Sequence, residues 1–193
     1  MTITRSAASI AALSVLLLGC LRAHAQTVYV ADQAGTIGEY NGSTGAPINA
    51  SLVSGLNNPT ALALSGRDLY VVNNGAGTIG EYDATTGAPI NTFLPSGLIG
   101  PTITGIAVSG GNLYVASESG PFGQVGEYYA STGAVVNATL ITGLFHIEGG
   151  MAVSGGSLYV GSNYGGGIVG EYQLDGTPTE LLPAEAGRWA EKS

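Results

Sequence analysis

The stretch Thr60-Ala-Leu-Ala-Leu-Ser-Gly-Arg-Asp-Leu-Tyr-Val-Val-Asn-Asn-Gly-Ala-Gly-Thr-Ile-Gly-Glu-Tyr-Asp-Ala-Thr-Thr-Gly87 decides the architecture, because its parts recur along the chain. Gly-Glu-Tyr occurs four times, with Glu39, Glu81, Glu127 and Glu171 spaced by 42, 46 and 44 residues. Tyr-Val after an apolar residue recurs at Tyr29, Tyr70, Tyr114 and Tyr159, spaced by 41, 44 and 45. Thr60–Gly66 is echoed by Gly105-Ile-Ala-Val-Ser-Gly110 and by Gly150-Met-Ala-Val-Ser-Gly155, and Ile48–Leu56 by Ile90–Leu98 and Val136–Leu144. A fixed period of about 44 residues means stacked supersecondary units.

Each unit carries four short apolar runs rich in Val, Ile, Leu, Tyr and Thr, separated by Gly, Pro, Asn, Asp and Ser. Such runs read as strands. Leu69–Val72 is apolar at every position, as in a strand whose sheet is packed on both faces. Tyr82-Asp-Ala-Thr-Thr-Gly87 reads as a tight hairpin with Gly87 at positive φ, repeated by Asn41–Gly45 and Ser131–Gly133. Four short strands at this period are the signature of a β-propeller blade.

From about Val28 to Gly176 the chain resembles the NHL-like and YVTN-like secreted bacterial propellers. The likeness rests on Gly-Ile-Ala-Val-Ser, then Leu-Tyr-Val, then Ile-Gly-Glu-Tyr-Asp-x-x-Thr-Gly. The resemblance implies that the Gly-Ile-Ala-Val strand is innermost, giving the blade order Thr60–Ser65, Leu69–Asn73, Thr78–Tyr82 and Ile90–Leu94. By that phase the first unit starts on a second strand, Val28–Ala31, and lacks its inner strand. The expected fold is all-β: a propeller of about four four-stranded blades, incomplete or truncated, over residues 28–56, 57–98, 99–144 and 145–183. Residues 184–193 form a tail foreign to the repeats, and the Pro-Glu-Pro sorting signal of many such relatives is not among them. Open edge strands invite self-association.

Glycine accounts for 32 of 193 residues, yet 45% are apolar and only 9% charged, so the composition is that of a turn-rich folded chain and not a disordered one. Residues 1–25 read as a secretory signal: Arg5, an apolar run from Ala7 to Gly19, and Ala23-His-Ala25 before the cut. A second reading remains open, in which Leu17-Leu-Gly-Cys20 is a lipobox and Cys20 carries a lipid anchor. Either way the mature chain is exported, with no integral membrane span expected. Beyond the leader only Arg67, Arg188 and Lys192 oppose 13 acidic residues, so no basic surface exists for nucleic acid.

The motifs that carry chemistry elsewhere are weaker here. Gly75-Ala-Gly-Thr-Ile-Gly80 matches the dinucleotide fingerprint by letters, but a strand and not a helix follows it. Glu39, Glu81, Glu127 and Glu171 share one repeat position, which allows a carboxylate array for Ca2+ or four separate third-strand residues; the separate reading is favoured, because cation ligands must meet within a few ångströms. Asp32, Asn73, Ser117 and Ser162 follow the Tyr-Val strand, where loops at one mouth of a propeller bind ligands; turn formation is the simpler account. His146 and Glu148 are the conceivable acid/base pair, without an identifiable triad or zinc set. The repeated tyrosines read as packing between blades, leaving Tyr164 as the exposed aromatic candidate for ligand contact. The expectation is an exported, non-enzymatic binding or scaffold propeller of unknown ligand. The alternatives are a propeller lyase or hydrolase with a cation in its channel, and a non-functional fragment of a longer propeller.

Overall fold

A computed structural model describes residues 27–93, 100, 102–147, 150–163 and 167–181. They form fifteen strands and one 3-10 turn, Asn74–Ala76. Blade 1 holds β1 (Thr27–Asp32), β2 (Thr36–Asn41) and β3 (Pro47–Val53). Blade 2 holds β4 (Pro59–Ser65), β5 (Asp68–Asn73), β6 (Thr78–Asp83) and β7 (Pro89–Phe93). Blade 3 holds β8 (Thr102–Ser109), β9 (Asn112–Ser119), β10 (Phe122–Tyr129) and β11 (Val135–Phe145). Blade 4 holds β12 (Met151–Ser154), β13 (Ser157–Ser162), β14 (Ile168–Gln173) and β15 (Pro178–Leu181). Every blade is an antiparallel meander in chain order, and the first has three strands, as the repeat phase predicts.

The hairpin between third and fourth strands closes as its sequence dictates. Asp83 Oδ1 accepts from the backbone N–H of Thr85 and Thr86 and from the Thr86 hydroxyl, at 2.8–3.0 Å. Gly87 then turns the chain at φ 72°, and Gly45 and Gly133 do so at 69°. An Asx turn followed by a left-handed glycine is a local device that needs no tertiary support.

The core lies between blades, in three layers. Ile37, Leu52 and Val53 of blade 1 meet Leu69, Val71 and Ala84 of blade 2. Tyr70, Val72 and Ile79 meet Ile106, Leu113, Val115 and Tyr128 of blade 3. Tyr114, Ala116, Val125, Ile141 and Leu144 meet Leu158, Val160 and Tyr172 of blade 4. Each strand therefore sends alternate side chains to the preceding and the following blade. Leu69–Val72 is buried on both faces for this reason.

The same geometry explains the Gly-Glu-Tyr marker. Residues two apart on a strand share a face, so the glycine lies beside the tyrosine ring. A Cβ on Gly38, Gly80, Gly126 or Gly170 would approach the ring or hydroxyl of Tyr40, Tyr82, Tyr128 or Tyr172 to 2.5–2.7 Å. Glycine is the residue that lets the ring lie flat along the blade.

Candidate functional site

The four glutamates point to the opposite face from those rings, each beside the tyrosine directly across in the second strand. The register pairs Tyr29 with Glu39, Tyr70 with Glu81, Tyr114 with Glu127 and Tyr159 with Glu171. Tyr70 Oη donates to Glu81 Oε1 at 3.4 Å, Tyr114 to Glu127 at 3.2 Å and Tyr159 to Glu171 at 3.2 Å. Asn112 Nδ2 adds a bond to Glu127 at 2.8 Å. Blade 1 differs: Tyr29 Oη donates to the Ala84 carbonyl of the next blade at 3.0 Å. The structure thus brings each of Glu81, Glu127 and Glu171 to a tyrosine of its own blade. Among the described residues no three His, Cys, Asp or Glu side chains gather closely enough to hold a metal ion.

Burial followed by the Glu81 and Asp68 carboxylates pushes the Tyr70 hydroxyl up to about 12. Burial followed by Glu127 takes Tyr114 to about 12 as well. Burial, then Asp68, also raises Glu81, against the opposing bond from Tyr70. A tyrosine whose folded pKa is raised contributes stability that is whole below its unfolded value of about 10 and is lost as pH climbs toward the folded value. Thermal unfolding followed by circular dichroism is therefore expected to show a falling midpoint between about pH 10 and about pH 12. The double variant Tyr70→Phe/Tyr114→Phe is expected to flatten that fall; an unchanged slope would assign it to other groups.

The positions expected in loops after the second strand belong to the strand itself, Asp32, Asn73 and Ser162 as its last residue and Ser117 within β9, because the pairing with the third strand runs that far, and they are spread over different tasks. Asp32 Oδ1 accepts from Ala34 N–H at 2.9 Å inside its own turn. Asn73 Oδ1 accepts from Asn57 N–H at 2.6 Å, tying the strand end to the linker between blades. Ser117 is fully buried, and its Oγ, like Thr104 Oγ1, has no hydrogen-bond partner among the described residues. Ser162 Oγ donates to the Phe145 carbonyl. The next position latches adjacent blades: Asn74 Oδ1 accepts from Ile103 N–H at 3.2 Å, and a Glu118 carboxylate oxygen accepts from Ile147 N–H.

His146 serves the same linker. Its backbone is left-handed at φ 47°, as is Asn58 at φ 54° in the earlier linker. Its N–H donates to the Pro121 carbonyl at 3.0 Å, and its carbonyl accepts from Asn163 N–H at 2.7 Å. Its ring meets Phe145 edge to face, with centroids 4.7 Å apart. Glu148, Tyr164 and Cys20 lie outside the described residues.

One concave site draws several elements together, a cleft of about 330 Å³ between blades 3 and 4. β11 supplies Leu140, Ile141, Thr142 and Leu144; β13 supplies Val160 and Ser162; β14 supplies Ile168 and Tyr172. Its lining is largely aliphatic and aromatic, Thr142, Ser162 and Tyr172 being the lining residues that carry a hydroxyl, and its size is at the small end for a ligand site. Ser162 is the sequence candidate that falls in it; Asp32, Asn73 and Ser117 do not. The cleft itself was not legible from the repeats. No spacing marks it: β11 runs eleven residues, yet the Glu127–Glu171 interval that contains it is 44, the ordinary period.

No protein-family model matches the chain, and no curated protein matches it in sequence. Solved structures do match in fold. Hydrazine synthase of Kuenenia stuttgartiensis aligns with TM-score 0.60 and 18% identity over 80% of this chain and 45% of that one. A chain of the nidogen/laminin complex gives 0.55 and 15% over 82% and 76%. The RRP9 WD40 repeats give 0.56 and 15% over 80% and 47%. The chain is a β-propeller protein. It spans under half the length of the hydrazine synthase and RRP9 chains, and at these identities the likeness concerns the fold alone.

Proposed function

We propose that this propeller is an exported, non-catalytic binding protein whose ligand is a small apolar molecule carrying one polar group. The cleft between blades 3 and 4 carries the reading: apolar walls supply affinity, and the Ser162 and Thr142 hydroxyls give a polar ligand atom its orientation. The tyrosine-bonded glutamates favour a binding role over a cation-dependent one, since each carboxylate already has a partner in its own blade. Export rests on the reading of residues 1–25, with anchoring at Cys20 as its variant, and the NHL-like and YVTN-like kinship rests on the repeat motifs.

A titration with N-phenyl-1-naphthylamine, a neutral apolar fluorophore, tests the site. Saturable fluorescence is expected, weakened at least tenfold by Thr142→Trp, because Thr142 is exposed at the cleft and an indole there fills it without entering the core. Calcium in place of the fluorophore is expected to leave the unfolding midpoint unchanged. Fluorophore binding that ignores Thr142→Trp, or a saturable calcium stabilisation, would sink the reading.

A further inference from the structure

The repeats allow each face of each blade to be compared with its equivalents, and two faces stand out. Toward the preceding blade, the second strand presents Leu69 and Val71 in blade 2, Leu113 and Val115 in blade 3, and Leu158 and Val160 in blade 4; all are at most 1% exposed. Their equivalents in blade 1, Val28 and Val30, are 43% and 47% exposed. Toward the following blade, Ile37, Ile79 and Val125 are fully buried, whereas their blade 4 equivalent Val169 is 47% exposed. The hairpin glycines repeat the pattern independently. A Cβ on Gly87 would overlap the Leu52 carbonyl of blade 1, and one on Gly176 the Leu140 carbonyl of blade 3, while Gly45 of blade 1 faces open space.

These are the two halves of one interface. The chain builds it three times internally, always from a forward face of the Val169 type against a backward face of the Val28–Val30 type. Among the described residues it leaves one half of each kind uncovered, the backward face of blade 1 and the forward face of blade 4. The geometry points to a second copy of this chain as the occupant: blade 4 of each copy packs on blade 1 of the other, and two such contacts close a ring of eight blades. The chain itself demonstrates the fit, since the surfaces are the same repeat positions that already pack on one another. A head-to-tail contact of this kind joins different surfaces, and it closes only when the rotation returns to its start.

Sedimentation velocity of the purified chain at micromolar concentration tests it with two variants. The wild type is expected at the mass of two chains. Val30→Glu spoils the backward face and Val169→Glu the forward face, so each alone loses both contacts and is expected to sediment as one chain. Mixed in equal amounts, the two variants retain one intact contact between the good forward face of Val30→Glu and the good backward face of Val169→Glu. A two-chain species is expected to return on mixing, and its return also shows that both variants are folded. Should Val30→Glu fail to fold, Val28→Glu reads the same face. A one-chain wild type, a larger open series, a pair indifferent to both substitutions, or a mixture that stays at one chain would overturn the proposal.

Discussion

Gly87→Ala is expected to lower the unfolding free energy by about 2–5 kcal/mol, from a left-handed alanine at ~1–2 kcal/mol and the overpacking it forces at ~1–3 kcal/mol. Gly87 sits at φ 72° in the hairpin between β6 and β7, and its missing Cβ would overlap the Leu52 backbone oxygen of blade 1. A backbone oxygen cannot swing aside as a side chain can, so the two blades must separate locally. Gly45→Ala is the control. Gly45 holds nearly the same backbone angle, 69°, with nothing within 4 Å of the added atom. It should cost only the conformational part, about 1–2 kcal/mol. Urea unfolding at a concentration where the chain is monomeric would measure both. Equal losses at the two glycines would show that the blades do not meet as described.

Leu113→Ala is expected to cost about 2–5 kcal/mol, the range for truncating a large aliphatic side chain in a closed core. Leu113 is fully buried between blades 2 and 3, among Tyr70, Val72, Ile79 and Tyr128. Val28 occupies the equivalent position of blade 1 and is 43% exposed. In the monomer Val28→Ala should fall within about 0.5 kcal/mol of wild type, as surface substitutions do. The comparison holds the repeat position fixed and varies only what lies against it. A Val28→Ala loss as large as that of Leu113→Ala would mean that some part of the chain outside the described residues covers blade 1.

The repeat, the strand content and the three-stranded first blade were legible because they depend on periodicity and local propensity. The hairpins were legible for a similar reason: Asp83 and Gly87 act on backbone groups within three or four residues of Asp83. Gly-Glu-Tyr was legible as a marker but not as a device. Its glycine is explained by a tyrosine two residues on, while its glutamate depends on a tyrosine in the neighbouring strand. The candidate site residues were harder. Asn73, Ser117 and Ser162 share a repeat position, yet one ties a linker, one is buried with no partner among the described residues and one lines a cleft. Equivalent positions acquire different roles when the neighbouring blade presents different atoms.

The sequence by itself determined what each unit of about 44 residues becomes, because strand alternation, Asx turns and left-handed glycines act within a blade and recur with the repeat. Only the tertiary structure decided which surfaces of those units are used. A valine at the second-strand position reads identically as Val30 or Val71, but Val71 has blade 1 against it and Val30 has nothing among the described residues. The cleft between β11 and β14 arises in the same way, from the spacing of two adjacent sheets. Burial is a property of what lies on the other side of a face, and that is fixed by the packing of blades and not by the residues that compose them.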